Sequence, residues 1–478
     1  MPENRLSLQF LSEEALDQIE EVARRLLNEV GIALDHAQAQ EMLHGVGCRI
    51  ERDRAFIPPE VVGWALDHIT PHVENLNLDG TPAFTFGDRQ VRFHNGGGQP
   101  YMLDLDSGQR RPASKQDLAD VTRLLDAIPN VDHITPLFGP QDVPPELLFI
   151  ESTATMLRNT RKPVSAAAVD KARDVPYLVE MAAACCGGLD TFRQRPNMSI
   201  SVSPVSPLRF TADVTGAIIA VVESGAPFHS LPAPTLGATG PVTMAGALAQ
   251  QHAEVLASFV IAAAARPGAS VVYCSRISSI DPRTAVSAWG RPEIGMTAAC
   301  AAQLAHRLGL PCDAYGLCTS SNALDPQFAY ERLANALLPA LAGVDILSGV
   351  GMGGGLVGGL EIVVIDDEII SLIKHIVNGC EVNEDTLAYD VMQEVIPRDG
   401  VFLAEMHTVR HMRQGALWIP RLGIGREGAE EAGDHLVARA RARVRDILRT
   451  HQVEPLPDDV NRHLDEIMSR ARRELLRE

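Results

Sequence analysis

Seven short apolar segments, each followed by a helical pattern, constrain the fold of this 478-residue chain more than any other feature. They recur at intervals of about 29–43 residues and read VDHITPLF, PVSAAAV, NMSISVS, APFHSLP, ASVVYCS, PCDAYGL and VDILSGV. Short strands that alternate with helices indicate a parallel sheet built from βα units. We therefore predict an α/β fold, a (β/α)8 TIM-type barrel, because closure explains a regular repeat that lacks a dinucleotide-binding fingerprint.

The helices of this repeat are marked by apolar periodicity and by the Pro or Gly residues that bound them. Their predicted ranges are Lys115–Ala127, Glu146–Asn159, Asp174–Cys185, Thr211–Glu223, Thr243–Ala265, Ile294–Leu308 and Pro326–Leu341. The eighth strand is not found in the repeat. EIVVI at 361–365 follows the seventh segment too closely for a crossover helix, so the missing strand is expected elsewhere in the chain.

The two ends of the chain have other patterns. Residues 1–113 predict an N-terminal extension of helices and a small sheet, with Leu11–Val30 as a helix capped by Ser12 and strands at Asn75–Leu78 and Phe84–Phe93. The barrel is predicted over residues 114–400. Residues 401–478 predict a helical segment whose Arg-rich helices are solvated and paired with glutamates.

Charge and cysteine usage exclude several classes of partner. The chain carries 42 basic and 61 acidic residues, a formal net charge of −19, which disfavours nucleic acids and anionic membranes. No segment approaches the roughly 18 apolar residues that cross a bilayer, and the N-terminus lacks a secretory signal, so we expect a cytoplasmic protein. The eight cysteines form no C-x-x-C pair, which predicts reduced buried thiols and no metal site.

The reactive groups of a (β/α) barrel lie at the C-terminal ends of its strands. By this rule Phe138, Phe228, Tyr273, Arg276 and Tyr315 are candidate site residues. The loop Gly237–Thr243 runs into a helix N-terminus, so its backbone amides at Gly237, Thr239 and Gly240 are candidates for binding a carboxylate or phosphate. His94 precedes three glycines, which indicates a close approach to a ligand.

Acid and base candidates are few. Asp366-Asp367-Glu368 is interpreted as the start of a helix, and His407 and His411 as a solvated or core pair. Serine-hydrolase chemistry lacks its G-x-S-x-G elbow, and only four lysines are present. No catalytic residue is assigned from these patterns.

Several segments together carry a family signature. They are FHNGGGQPYMLDLDSGQRRPASKQDLADVTRLLDAIPNVD, NTRKPV, SPVSPLRF, LGATGPVTMAGALAQQHAEVLASFVIAAAARPGASVVY, GLCTSSNALDPQFAYE, LAGVDILSGVG and FLAEMHT, in this order between about His94 and His411. With these segments the chain resembles the trimethylamine methyltransferase family. The resemblance implies a barrel enzyme that moves a methyl group from an amine to the cobalt of a corrinoid held by a separate protein.

The founding members of that family use pyrrolysine to capture trimethylamine, whereas this chain contains only standard residues. The resemblance therefore implies the non-pyrrolysine branch and a quaternary amine substrate such as glycine betaine. A quaternary ammonium already carries the charge that lets a tertiary amine leave, so a cobalt(I) nucleophile needs only an oriented, desolvated methyl group. No general base is required.

Recognition of such a substrate calls for aromatic faces around the ammonium and an anion site for the carboxylate. The aromatic candidates are Tyr101, Phe138, Phe228, Tyr273 and Tyr315, and the carboxylate candidates are Arg276 and the Gly237–Thr243 loop. The glycine-rich run Gly349–Gly359, with Gly351, Gly353, Gly354 and Gly355, is expected to face the corrinoid. The corrinoid protein and a second copy of the chain are the expected partners, with no tightly bound cofactor.

Two alternatives remain open at this point. The glycine-rich run is also typical of a phosphate-binding barrel lyase or isomerase. A protein that binds quaternary amines without transferring a methyl group would present the same recognition elements.

Overall fold

A ring of eight parallel strand segments forms the centre of the computed structural model, which describes residues 6–88, 90–166, 168–423 and 436–476. In chain order they are β1 (Arg92–Asn95), β2 (133–134), β3 (Val164–Ala166), β4 (Met198–Val202), β5 (Phe228–Ser230), β6 (Ala269–Ser275), β7 (Cys312–Tyr315) and β8 (Ile346–Val350). Strands β3 to β8 pair in chain order and β8 pairs with β1. Bridges from His133 to His94 and from Ile134 to Val164 close the ring at β2. The predicted (β/α)8 barrel is confirmed.

The eighth strand is β1, which lies in the part of the chain predicted as an extension. Residues Arg92–Asn95 pair with β8, so the predicted boundary at residue 113 does not separate the barrel from the N-terminal region. The single strand predicted at Phe84–Phe93 is wrong, because Pro82–Thr85 pairs antiparallel with Glu74–Leu76 and ends before β1 begins. The run at 361–365 lies inside the helix Leu360–Asn378, as its spacing required.

Eight helices surround the ring, and their ends agree with the predicted ones within two residues where a prediction was made. They are Lys115–Ala127, Leu148–Arg158, Val175–Cys185, Ala212–Ser224, Met244–Ala265, Pro292–Arg307, Pro326–Leu341 and Leu360–Asn378. Local capping explains this agreement: Ser114 and Asp117 form a capping box, and Gly225 ends its helix in the left-handed region. Asp366 is in the middle of Leu360–Asn378, so the prediction that it starts a helix is wrong.

The N-terminal extension covers one side of the barrel. Its helices Glu13–Arg25, Ala37–Gly45 and Pro59–Asp67 contact the long helix Met244–Ala265, which is apolar on most of its surface and buried from Ala247 to Ala263. Ser12 accepts a hydrogen bond from the amide of Ala15 and caps the first helix, as predicted. The extension's small sheet contains Ile32–Leu34, Arg49–Glu51 and Arg54–Phe56, together with Arg209–Phe210.

Shorter elements decorate the barrel ends. Ile69–Thr70 pairs with the start of β6, and Tyr101–Leu103 lies between Arg110–Pro112 and Val357–Gly359 in a three-stranded sheet. Thr235–Leu236 pairs with Ser278–Ser279, and a short helix spans Leu189–Gln194.

The C-terminal region has two parts. Small helices at Glu384–Leu387, Tyr389–Val395 and Met406–Arg413 follow the last barrel helix. Helices Leu436–Thr450 and Asp458–Leu475 then pack along the outside of the barrel, where Arg472 pairs with Glu151 and Arg441 with Glu361. Among the described helices, none combines the length and apolar character that crossing a bilayer demands.

Candidate active site

The interior of the barrel is polar at its C-terminal end. Side chains alternate along each strand between the barrel interior and the helices outside. The inward positions carry Ser165, Ser199, Ser201, His229, Asp313, Tyr315 and Ser348. Below them a small apolar cluster of Val73, Phe86, Val272, Cys274 and Ile346 fills the other end of the ring. The barrel interior is therefore filled by apolar side chains at one end and lined by polar side chains at the C-terminal ends of the strands.

Asp313 on β7 is the centre of this polar layer. Its Oδ1 accepts a hydrogen bond from Nη2 of Arg276 at 2.7 Å and lies 3.2 Å from Nε2 of His94. Its Oδ2 is 3.6 Å from Nδ1 of His229. Arg276 also donates to the main-chain oxygens of Asp313 and Ser275, both at 3.1 Å. Asp313 thus links β1, β5 and the end of β6.

Asp313 and Arg276 each stabilise the charged form of the other. Burial by itself would raise the pKa of Asp313, but Arg276, His94 and His229 lower that pKa well below its ordinary value. Asp313 in turn raises the pKa of Arg276, against the effect of burial. Both side chains are almost fully buried. The site therefore contains a buried, permanently ionised pair at neutral pH.

Three imidazoles surround the carboxylate. His133 on β2 is edge-on to His94 at 6.0 Å and stacked on His229 at 6.5 Å between ring centroids. Asp313 contacts Nε2 of His94 and Nδ1 of His229, which leaves the second nitrogen of each ring without this partner. Those atoms, His94 Nδ1 and His229 Nε2, are buried and have no hydrogen-bond partner in the described part of the chain.

Burial, and then the neighbouring His94 and His229, lower the pKa of His133 to about 3. A histidine with a folded-state pKa below its ordinary 6.5 stabilises the fold above pH 6.5, and this stability is lost as the pH falls. The free energy of unfolding should fall between pH 7 and pH 5 in the unmodified chain. In His133→Gln this fall should be about 2 kcal/mol smaller, because the titrating imidazole is gone. Denaturant titrations at the two pH values measure the difference. His463→Gln, at an exposed position, is the control, and equal losses in all three proteins would contradict the assignment.

A cavity of about 340 Å³ lies above this layer, at the C-terminal ends of the strands. Its aromatic wall is made by Tyr315, Trp289 and Phe149, with the Trp289 ring edge-on to Tyr315 at 5.2 Å. The Arg276 guanidinium carbon is 4.9 Å from the Tyr315 ring centroid. Burial raises the pKa of Tyr315 to about 12, so the phenol is neutral. Gly97, Gly98 and Leu356 line the cavity where it meets solvent.

The structure brings together three of the predicted substrate-binding residues around this cavity, His94, Arg276 and Tyr315, and the predicted corrinoid-facing Gly353. It places Phe228 and Tyr273 on the outward positions of β5 and β6 instead. The Tyr273 hydroxyl contacts Nδ1 of His252 at 3.0 Å in the layer between barrel and helices. Strand-end position selected the correct strands, and on β6 it also indicated Cys274, which does face inward; on β5 the inward residue is His229, the neighbour of Phe228.

Phe138 and Tyr101 also lie away from the cavity lining. Phe138 is fully buried beside Gly358, where a side chain on that glycine would meet its ring at 2.7 Å. Tyr101 is covered by Arg110, whose guanidinium carbon is 3.7 Å from the ring centroid. Both aromatic rings therefore have partners outside the cavity.

The loop Gly237–Thr243, which was predicted to bind an anion, has its backbone amides engaged in hydrogen bonds to nearby main-chain oxygens. The N–H groups of Ala238, Thr239 and Gly240 all donate to the main-chain oxygen of Thr235, and that of Gly237 donates to Gly240. Gly237, Thr239 and Gly240 do not line the cavity. The loop is a self-satisfied turn, which does not favour a phosphate or carboxylate there.

The glycine-rich run after β8 is also engaged internally. Gly351 donates to Oδ2 of Asp366 at 2.8 Å, and Gly353 and Gly354 donate to Val357 and Ser321 oxygens. Gly353 lines the main cavity, whereas Gly351 is buried against Leu137. Gly354 and Gly355 border a second cavity of about 240 Å³ beside Asn322 and Phe328. These contacts do not favour the phosphate-barrel alternative, since few amides are left to cradle an anion.

Two groups of side chains have the spacing of metal ligands among the described residues: His229, Cys274 and Asp313, and Asp385, His407 and His411. In the first group Arg276 already supplies the positive charge to Asp313, and burial raises the pKa of the Cys274 thiol well above its ordinary value. A protonated thiol beside a guanidinium is a poor cation site. In the second group Arg410 pairs with the Asp385 carboxylate.

Sequence reasoning missed Asp313, His133, His229 and Trp289. Three of them sit on strands where polar residues alternate with apolar ones, as in MSISVS, and such alternation is unusual for a parallel strand that is buried on both faces. That alternation was a usable signal for a polar barrel interior. Trp289 lies in an irregular loop, and no sequence pattern singled it out.

Known proteins share sequence with this chain over most of its length. Trimethylamine methyltransferase MttB of Desulfitobacterium hafniense is 29% identical over 453 residues, 94% of this chain and 91% of that protein. A glycine betaine methyltransferase of the same species is 29% identical over 413 residues, 85% of each chain. Among solved structures, the monomethylamine methyltransferase MtmB of Methanosarcina barkeri aligns with a TM-score of 0.45 at 14% identity, over 91% of this chain and 94% of that one. The sequence profile of the trimethylamine methyltransferase family matches residues 2–475, and the chain belongs to that family.

Proposed function

We propose that this chain transfers a methyl group from a quaternary amine resembling glycine betaine to the cobalt(I) of a corrinoid held by a partner protein. One observation carries the proposal beyond family membership. The cavity combines the aromatic rings of Tyr315 and Trp289 with the imidazoles of His133 and His229, whose pKa values are lowered by burial, and no lysine of the described residues lines it. A ligand that is cationic but has no N–H group suits such a lining.

The ammonium end of the substrate belongs against Tyr315, Trp289 and the imidazoles. A trimethylammonium spreads its charge over its methyl groups, which interact with aromatic faces by cation–π attraction. Burial lowers the pKa of His229, whose Nε2 has no hydrogen-bond partner among the described residues and accepts a polarised C–H group. His133 stays neutral at physiological pH, so it adds no repelling charge.

The carboxylate end belongs near Arg276, the cationic side chain of the cavity lining. Its Nη atoms are committed to Asp313 and main-chain oxygens, while no bond from its Nε is found among the described residues. The pair with Asp313 keeps the guanidinium fixed before substrate arrives, which reduces the ordering cost of binding. The Gly237 loop predicted to share this role is too far from the lining to do so.

The methyl acceptor would approach at the solvent side of the cavity. The corrinoid supplies the nucleophilic cobalt(I) that attacks the methyl carbon as the tertiary amine leaves with the bonding electrons. Gly97, Gly98 and Gly353 lack side chains at this border, so a flat macrocycle meets no steric barrier there. The chain itself binds, orients and desolvates the methyl group.

The direct test mixes purified protein with chemically reduced cob(I)alamin and a panel of amines, and follows formation of methylcob(III)alamin by absorbance. We expect transfer from a carboxylate-bearing quaternary amine and none from trimethylamine. Thermal stabilisation by the same amine without transfer, even with a cognate corrinoid protein present, would favour the binding-protein alternative. Neither transfer nor stabilisation with any amine would overturn the proposal.

Tyr315→Leu tests the aromatic wall. Loss of one cation–π contact of about 0.5–2 kcal/mol predicts roughly 2- to 30-fold weaker binding of the quaternary amine. Isothermal titration calorimetry measures it, with Tyr330→Leu, an exposed tyrosine outside the cavity, as the matched control. A neutral isostere in which carbon replaces the ammonium nitrogen should bind both proteins equally. An equal loss for the amine and its isostere would show that Tyr315 contributes shape alone.

A further inference from the structure

Residues 380–417, here called the arm, are left uncovered by the other residues that the structure describes. The arm comprises Glu384–Leu387, Tyr389–Val395, Ile396–Arg398, Phe402–Ala404 and Met406–Arg413. All of its residues are described by the structure. Every hydrogen bond and ion pair found in the arm joins two of its own residues, such as His407 Nε2 to the main-chain oxygen of Asp385 at 2.9 Å. The arm is therefore held to the barrel through its two ends.

The arm has almost no core. Val395 is its one buried residue, and no arm residue belongs to either apolar cluster of the protein. Eleven large apolar side chains are instead 37–75% exposed: Val382, Leu387, Tyr389, Met392, Ile396, Val401, Phe402, Leu403, Met406, Met412 and Leu417. A segment of this size cannot stay folded on one buried valine, so another surface must cover it.

The exposed area matches a stable protein interface. Eleven side chains exposed by about half present on the order of 1,000 Å² of apolar surface, above the few hundred Å² expected on a monomer. A stable interface needs about 800 Å² from each partner, and obligate homodimers have the most apolar interfaces. The area and its composition therefore favour a permanent partner.

The position of the arm decides between partners. Barrel helices run back from the C-terminal ends of the strands, so Leu360–Asn378, about 28 Å long, carries the chain to the end opposite the cavity. The arm begins there, and Trp418 Nε1 anchors its return to Ser371 Oγ at 3.0 Å. A protein that delivers a methyl acceptor has to work at the cavity end. A second copy of the chain carries the same arm and pairs with it by two-fold symmetry.

We propose that the arm is the dimer interface of this protein, in which each chain's arm covers apolar surface of the other. The interface centres on Val401, Leu403 and Met406, the most exposed of its apolar residues. The exposed area of the arm does not depend on the reaction in the barrel, whereas the choice of a second copy over the corrinoid protein rests on the proposed function.

Sedimentation equilibrium of the purified chain at 1–50 μM, without any corrinoid protein, tests the proposal. We expect the unmodified chain to sediment as a species of twice 51.6 kDa. For Leu403→Glu/Met406→Glu we expect the dissociation constant of the dimer to rise at least 100-fold. Val30→Glu/Leu189→Glu, which changes exposed apolar residues outside the arm, should remain dimeric. A monomeric unmodified chain, or an arm variant that dimerises normally, would overturn the proposal.

Hydrogen exchange supplies a readout that needs no variant. Amides of the arm should lose protection on dilution of the unmodified chain, while those of the barrel helices keep it. In the arm variant, retained protection of Lys115–Ala127 separates lost dimerisation from lost folding. Arm amides that gain protection only after a corrinoid protein is added would assign the surface to that partner and overturn the dimer.

Discussion

Asp313→Asn should reduce methyl transfer by at least 100-fold. The substitution removes the charge that holds Arg276 and orients His94 and His229, and it leaves a guanidinium buried without a counter-charge. Breaking a buried ion pair in this way costs about 3–5 kcal/mol. The lower limit of about 3 kcal/mol corresponds to roughly a 100-fold change in an equilibrium constant. Initial rates of methylcob(III)alamin formation, measured across amine concentrations, give the change in kcat/KM.

The control for this prediction is Asp281→Asn, which breaks an exposed pair with Arg283 outside the cavity. Its activity should stay within twofold of the unmodified chain. The double variant Arg276→Gln/Asp313→Asn should be more stable than Asp313→Asn, because it no longer buries an unpaired charge. Full activity of Asp313→Asn would show that the ionised pair does not organise the site.

Arg332→Met should destabilise the fold by about 3–5 kcal/mol. Arg332 is fully buried, donates from Nε to Asp366 Oδ1 at 2.7 Å, and donates from its Nη atoms to the oxygens of Gly349 and Met352. One side chain thus ties Pro326–Leu341, Leu360–Asn378 and the glycine-rich run together. Removing it leaves the oxygens of Gly349 and Met352 without this donor and the Asp366 carboxylate without its counter-charge, with the Gly351 amide as its remaining donor.

Urea unfolding followed by circular dichroism measures this loss as a lower midpoint with an unchanged slope. Arg123→Met, which breaks a surface pair with Asp120, is the matched control and should change stability by less than 1 kcal/mol. The double variant Arg332→Met/Asp366→Leu should recover part of the loss, since apolar groups of similar size can replace a buried ion pair. A double variant less stable than Arg332→Met would contradict this account.

Different parts of the barrel were predictable to different degrees. Lys115–Ala127 and Pro326–Leu341 match their predicted ends because capping and periodicity act within a few residues of chain. Strand β1 escaped prediction because RFHN has no apolar run, and its partner β8 lies some 250 residues later in the chain. Its strand character comes from the pairing that closes the ring, which no local pattern can report.

The site shows the same division. The rule of strand ends selected the inward Tyr315 on β7, but on β5 and β6 it also selected the outward Phe228 and Tyr273, since a shift of one residue reverses the face. Arg276 was predicted to bind a carboxylate, and in the folded chain it binds the carboxylate of Asp313. His94 was selected from its glycine neighbours and does line the cavity, next to an aspartate 219 residues away.

From its sequence alone, this chain is an acidic α/β protein with a βα repeat and a family signature, because periodicity, capping and composition are local properties. The tertiary structure decided which segment closes the barrel, which strand residues face the cavity and how Asp313 joins Arg276 to His94 and His229. It also decided that the residues from 380 to 417 are left without a core. These outcomes depend on contacts between segments that lie hundreds of residues apart, and only ring closure brings those segments together.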